Sequence, residues 1–298
     1  MSIVFSSFLL FFTIITSFLV ALRTSAALSA LHPDELKALG EIATTLGIER
    51  LKLNLAYGDP CALRRLKIDV VQKSGSDNII NCDCSFNNSM TCHIIDLFLK
   101  TLSLPGKLPP ELVKLKYLQR IDLCRNSLSG SIPMEWASMQ HLSFISVCAN
   151  RLSGPLPSGL QNFKNLTFLG VEANNFSGPI PDELGNLTTL TGLQLGSNRF
   201  TGSLPSTLAR LVNLDDFRIS ENNFNGIIPG YIDKWPRLEK LYLYASGLKG
   251  PIPDAVTRLD NLRDLRISDM AGINSFPIIS SKAMEAMDTL ILRNVSLS

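Results

Sequence analysis

Apolar residues recur along most of the chain at a single spacing. Aligned, the segments read IDLCRNSLSGSIP from Ile121, ISVCANRLSGPLP from Ile145, LGVEANNFSGPIP from Leu169 and LQLGSNRFTGSLP from Leu193. FRISENNFNGIIP from Phe217 and LYLYASGLKGPIP from Leu241 continue the series, each copy starting 24 residues after the last. A weaker copy, LFLKTLSLPGKLP, begins at Leu97, and a degraded one, LRISDMAGINSFP, begins at Leu265. In every copy two apolar residues flank one outward residue, which predicts a short strand with a buried side and a solvent side. No copy can bury its leucines alone, so the copies must stack, with their strands forming a parallel sheet. Asn126, Asn150, Asn174, Asn198 and Asn222 share one phase. An inward amide there satisfies backbone groups that a tight turn leaves unpaired. Gly130, Gly154, Gly178, Gly202, Gly226 and Gly250 share another phase, which allows positive-φ or closely approached backbone. The proline that follows limits regular structure beyond it.

Outside the array the pattern changes. PDELKALGEIATTLG sets Leu36, Leu39, Ile42, Ala43 and Leu46 on one face of a predicted helix. Residues 28–92 are expected to cap the open end of the array, which occupies 93–298. Met1 to Leu22 carry no charge, and small residues follow from Ser25 to Ala30. Residues 1–27 therefore read as a secretory signal peptide, although the n-region lacks Lys or Arg and the run is long enough to span a bilayer. Near the other end Ser246 and Met270 replace the Asn, and DMAGINSFPIISSKAMEAMD stretches one interval to 25 residues. LILRNVSL then restarts a strand at Leu290 without the GxIP half. The array is thus expected to be incomplete at its C-terminus, as in a fragment or an interrupted product.

Composition narrows the function. Charged residues make up 18%, apolar residues 45%, and the formal net charge is +2, so there is no basic patch of the kind nucleic acid requires. Secretion favours disulfides among the six cysteines. Cys61, Cys82, Cys84 and Cys92 precede the regular copies, and sequence leaves three pairings open for them. The run CDCSFNNSMTCH, with His93, lacks the paired CxxC spacing of a zinc site. Cys124 and Cys148 share a phase on neighbouring strands, about 4.8 Å apart, which suits either a cross-strand bridge or two thiols. Sequons at Asn87, Asn165, Asn175, Asn186 and Asn294 fit a glycosylated extracellular chain. His32, His93 and His141 are scattered in sequence. No Gly-rich phosphate loop, GxSxG elbow or HRD/DFG set occurs. No catalytic role, cofactor or metal is expected of this chain.

The LSGxIP half resembles the plant-specific leucine-rich repeat. Flanking phrases sharpen the resemblance: DELKALGEIATTLG, YGDPC, NCDCSF, LPPELVKLKYLQRIDL, LEKLYLYASGLKGPIP and LRDLRISDMAGINSFP. Together they resemble the extracellular region of plant receptor-like serine/threonine kinases that combine leucine-rich repeats with a malectin-like domain. The resemblance implies a leucine-rich-repeat solenoid of 24-residue repeats, with a concave parallel sheet, a 3-10 or irregular convex side and an N-terminal helical disulfide cap. It implies Cys84 with Cys92, and with that pair Cys61 with Cys82. In such receptors further repeats, a malectin-like domain, a membrane helix and a kinase domain follow, so membrane attachment would come only through downstream segments. The rival resemblance is to secreted polygalacturonase inhibitors, which use a similar repeat.

Binding is the function the pattern points to, at the residues interleaved with the buried ones. The position inside LxL gives Asp122, Ser146, Gly170, Gln194, Arg218, Tyr242 and Arg266. The next outward position gives Cys124, Cys148, Glu172, Gly196, Ser220, Tyr244 and Ser268. The middle of this face reads as small and neutral. Its later copies present Arg218, Tyr242, Tyr244 and Arg266, with Asp216, Lys240 and Asp264 one position earlier. Tyr and Arg are enriched in binding hot spots. Arg218, Lys240, Tyr242, Tyr244, Asp264 and Arg266 are therefore the candidate contacts for an extracellular protein, peptide or glycan, or a co-receptor. The competing reading is a solvated face tied by ion pairs along Asp216–Lys240–Asp264.

Overall fold

A computed structural model describes residues 30–48, 59–63, 78–269, 275–277, 287–294 and 296–297. The leader 1–27, Met270 and most of the irregular stretch after it lie outside these residues. Helix α1, Pro33–Thr45, starts where the sequence provides its signals: Pro33 at the first position, Asp34 and Glu35 in the first turn, and the His32 ring accepting from the Asp34 N–H at 3.3 Å. Its inner face buries Ala38, Leu39, Ile42 and Ala43 against the first copy. A four-residue helix α2, Pro60–Leu63, follows. No helix among the described residues is long and apolar enough to cross a membrane.

Eleven strands form the main sheet: β1 Ala30–Leu31, β2 Ile79–Phe86, β3 Thr91–Phe98, β4 Arg120–Asp122, β5 Phe144–Ser146, β6 Phe168–Gly170, β7 Gly192–Gln194, β8 Asp216–Arg218, β9 Lys240–Tyr242, β10 Asp264–Ser268 and β11 Thr289–Arg293. From β3 onward neighbours are parallel and pair residue for residue at the 24-residue offset, as in Leu193↔Phe217. The last step pairs Asp264 with Thr289, so the 25-residue interval is absorbed without a slip in register. β2 is antiparallel to β3, and β3 continues into the pairing with β4. The 92/93 division falls inside β3, which serves both the hairpin and the array. Three disulfides are present: Cys61–Cys82, Cys84–Cys92 and Cys124–Cys148, with Cα separations of 5.5, 3.9 and 4.5 Å.

The opposite side of each copy is a 3-10 turn, from Pro110–Lys114 to Asp254–Arg258. The recurring proline sits just before each turn, at Pro109, Pro133, Pro157, Pro181, Pro205, Pro229 and Pro253. Its fixed φ and missing N–H suit that position. Between the two sides the leucines, Trp136, Trp235, Phe163 and Phe217 form one continuous core. Each buried side chain of this kind contributes about 1.5–3 kcal/mol.

The shared asparagines hold the copies together. Asn174 donates to the carbonyls of Val147 and Val171, both at 3.0 Å, and accepts from the Leu152 N–H at 3.0 Å. Asn126, Asn150, Asn198 and Asn222 repeat the pattern. The residue before each, and Ala245 before Ser246, takes the left-handed region, with φ 49–59°. These residues are not glycine, and the hydrogen bonds around them offset a strain of about 1 kcal/mol each. Gly130, Gly154, Gly178 and Gly202 are positive-φ positions; Gly226 and Gly250 are not. Where Ser246 stands for Asn, the Phe224 N–H bonds the Ser246 carbonyl instead of a side chain, at 3.0 Å. The backbone closes in so far that a Cβ on Gly247 (φ 84°) would lie 2.3 Å from the Phe224 oxygen.

Candidate ligand-binding face

Side chains on the solvent side of the main sheet make a face with three regions. At the C-terminal end Tyr242 is held on several sides. The Arg218 and Arg266 guanidinium carbons lie 4.8 and 4.5 Å from its ring centre. Its hydroxyl donates to Asp264 at 2.6 Å. Arg218 makes two hydrogen bonds to Asp216, at 2.7 and 2.6 Å. Arg266 makes two to Asp264, both at 2.9 Å. Burial alone would raise the Asp264 carboxyl, but the bonds from Arg266 and Tyr242 outweigh it and hold it below the usual range. Burial and the Asp264 bond push the Tyr242 hydroxyl up to about 12. The ion pairs therefore run within strands, Asp216 to Arg218 and Asp264 to Arg266, and not along Asp216–Lys240–Asp264. Lys240 has no ion pair among the described residues. Tyr244 is half-buried, 6.5 Å from Tyr242.

The centre is neither uniformly small nor neutral. Phe144 and Phe168 stack with ring centres 4.6 Å apart and planes 10° off parallel. Beside them Gly170 and Gly192 carry no side chain, and an added Cβ would meet the Phe168 ring at 2.8 and 2.5 Å. Glu172 reaches over Gly196, where a Cβ would lie 3.1 Å from its Oε1. Burial raises the Glu172 carboxyl above its usual value; Arg218 opposes the shift, while Asp216 and Glu221 add to it. Its carboxylate has no hydrogen-bond or ion-pair partner among the described residues.

The N-terminal region repeats the paired style. Asp96 takes two bonds from Arg120, at 2.8 and 2.7 Å, and one from Asn81 at 2.7 Å, while Arg120 sits 5.2 Å from the Phe98 ring centre. On the adjoining flank the three histidines, scattered in sequence, come together. His32 stacks on His93 at 5.3 Å, Tyr117 lies 4.4 Å from His93, and His141 stacks on Tyr117 at 5.9 Å. His93 also meets the buried Glu35 at 2.7 Å. No metal-holding group of His, Cys, Asp or Glu occurs among the described residues.

A family model described as Leucine Rich Repeat matches residues 117–139, 165–187 and 189–211. The array is a leucine-rich-repeat solenoid. A probable leucine-rich-repeat receptor-like serine/threonine-protein kinase of Arabidopsis thaliana is 66% identical over 130 residues, 42% of this chain and 13% of the kinase. The chain thus matches only a small part of the relative's length. Among solved structures, the ectodomain of the Arabidopsis thaliana receptor kinase GASSHO1/SCHENGEN3, in complex with CASPARIAN STRIP INTEGRITY FACTOR 2, is 30% identical at a TM-score of 0.65. That match covers 72% of this chain and 26% of the ectodomain. The Arabidopsis HAESA ectodomain, in complex with a peptide hormone ligand, is 25% identical at a TM-score of 0.65 and covers 87% of this chain and 42% of its own.

Within the leucine-rich-repeat face, the candidate residues Arg218, Tyr242, Asp264 and Arg266 form one connected cluster, with Lys240 and Tyr244 at its margin. Phe144 and Phe168 escape a reading of the sequence that follows Tyr and Arg alone. They occupy the same position as Asp216, Lys240 and Asp264, and counting down from Asp216 by 24 residues at a time reaches Gly192, Phe168 and Phe144. Among the sequons, Asn87, Asn165, Asn186 and Asn294 are exposed and Asn175 is half-buried.

Proposed function

We propose that this chain is the extracellular ligand-binding leucine-rich-repeat part of a receptor-like serine/threonine kinase, and that its concave face takes a peptide. The carrying observation is the face itself: one side chain per alternate residue, in register across successive parallel strands, with Lys240, Tyr242 and Tyr244 toward its C-terminal end. Support comes from the kinase relative and from the HAESA ectodomain, which has the same fold and is in complex with a peptide hormone. The flanking phrases support the finer assignment to the malectin-domain subfamily. Exposed sequons and three disulfides suit a glycoprotein outside the cell. Signalling would belong to the membrane and kinase segments of a whole receptor.

The test is a phage-displayed nonapeptide library panned on the full glycosylated chain. Retention of peptides whose binding falls about tenfold in Tyr242→Ala/Tyr244→Ala, a loss typical of hot-spot residues, is the expected result. Retained peptides indifferent to both substitutions would remove the C-terminal patch from the contact surface. No retention by folded protein would end the peptide reading.

A further inference from the structure

We propose that the centre of the concave face is a subsite for a peptide bearing an apolar side chain and a basic group, the first on Phe144 and Phe168, the second at Glu172. The proposal rests on the peptide reading above and names the chemistry of the ligand.

The apolar half is built by backbone and ring together. Phe168 is half-buried beside two glycines whose missing side chains leave the stacked pair open to an incoming group. An apolar side chain laid there removes aromatic surface from water, and ring-on-ring contact adds to that gain.

The charged half is defined by what Glu172 lacks. It stands four residues after Phe168 on the same side of an extended segment, about 13 Å away at the backbone. A half-buried carboxylate without a partner is unfavourable until a cation or donor reaches it. Burial accordingly disfavours its ionised form. The nearest base cannot answer this, because Arg218 is held by two bonds to Asp216 and by the Tyr242 ring.

The surroundings carry the same sign. Around Glu172, Asp216 and Glu221 stand against Arg218, with Asp215 beside Asp216, while Arg151, Lys164, Arg199 and Arg210 fall at other positions of the same copies. Burial, with Asp216 and Glu239 beside it, raises the Asp215 carboxyl as well. Such a field steers cationic ligands inward and disfavours acidic ones. A neutral oligosaccharide also stacks on aromatic rings, but it would leave Glu172 without a counter-charge. The observations therefore favour the basic peptide.

The nonapeptide pool retained by the full chain tests this. It should be enriched in Lys or Arg within four residues of Phe, Leu, Ile or Trp. A synthetic consensus peptide should bind Glu172→Gln about tenfold more weakly. Exchanging its basic residue for Gln should cost the same factor, with no further loss on Glu172→Gln, as a double-mutant cycle requires of a direct pair. Phe168→Ala should weaken the same peptide independently of charge, and cooperative melting of both variants well above the assay temperature excludes unfolding as the cause. A pool of acidic peptides, or a basic consensus indifferent to Glu172→Gln, would overturn the subsite and leave the peptide reading standing. An empty peptide pool, with neutral oligosaccharides bound and lost in Phe168→Ala, would overturn both.

Discussion

The C-terminal patch and the centre of the concave face share one sheet and differ in whether their polar groups are already satisfied. Around Tyr242 each guanidinium has its own carboxylate, and the phenol has Asp264. Around Phe168 the rings have only each other, and Glu172 has no partner among the described residues. Residue type alone favours the patch as a hot spot, because Tyr and Arg are enriched there. Internal pairing reverses the ranking for charge recognition. A group already satisfied inside the protein gains little from a ligand, while an unsatisfied, half-buried one gains most. The patch then serves as a preorganised wall that keeps its shape, and the centre offers the unmet chemistry.

Disrupting the wall gives the largest expected effect. Asp216→Ala removes both bonds to Arg218 and the bond from Gln194 at 3.0 Å, leaving a half-buried guanidinium unpaired. A loss of about 2–3 kcal/mol is expected in urea unfolding. A loss no larger than that of an exposed surface substitution would mean that pairing in the patch contributes no more than at the centre. Tyr242→Ala comes next. It removes two cation–π contacts and one hydrogen bond to a carboxylate, for about 1–2 kcal/mol. Tyr244→Ala, whose lost phenol makes no hydrogen bond to a protein group among the described residues, should fall well below that.

Alkaline titration sharpens the same contrast. The folded-state value of Tyr242 lies above the ordinary tyrosine value of 10.0, at about 12. The stability tied to its protonated hydroxyl is therefore complete below the ordinary value and is lost as pH rises through the raised one. Wild type should lose melting temperature across that window, and Tyr242→Phe should lose less. Equal slopes for the two proteins would show that burial and the Asp264 bond do not together raise the Tyr242 hydroxyl.

The fold was legible because the constraint is periodic. Leu193 and Phe217 declare their burial by recurring at one phase, and Asn174 declares its turn in the same way. The face was legible only in part. Tyr242 and Arg218 could be placed on the solvent side, but which acid each base takes depends on side-chain reach. Arg218 folds back along its own strand to Asp216, two residues away, and leaves Lys240 aside. The histidine row is a further case. His93 and His141 lie on the same repeat phase as Tyr117, whereas His32 reaches them from outside the array, just before α1. The backbone substitution at Ser246 is subtler, since only the close approach of Gly247 to Phe224 shows how the missing amide is replaced.

The smallest expected effect is the one that most directly tests the contrast. Glu172 has a folded-state carboxyl raised above its ordinary value of 4.5 by burial and by its acidic neighbours. The folded chain thus disfavours the ionised form, so the associated stability is present below the ordinary value and is lost as pH rises through the raised one. Glu172→Gln keeps the shape and removes the charge. At neutral pH the variant should melt slightly above wild type, and the gain should vanish once acid protonates Glu172. The sign distinguishes the two states of the centre. A gain means that the carboxylate stands unpaired in the free protein, as a receiving site for a cation must. A loss at neutral pH would mean that it already has a partner within the chain, and the centre would then be internally satisfied in the way the wall around Tyr242 is.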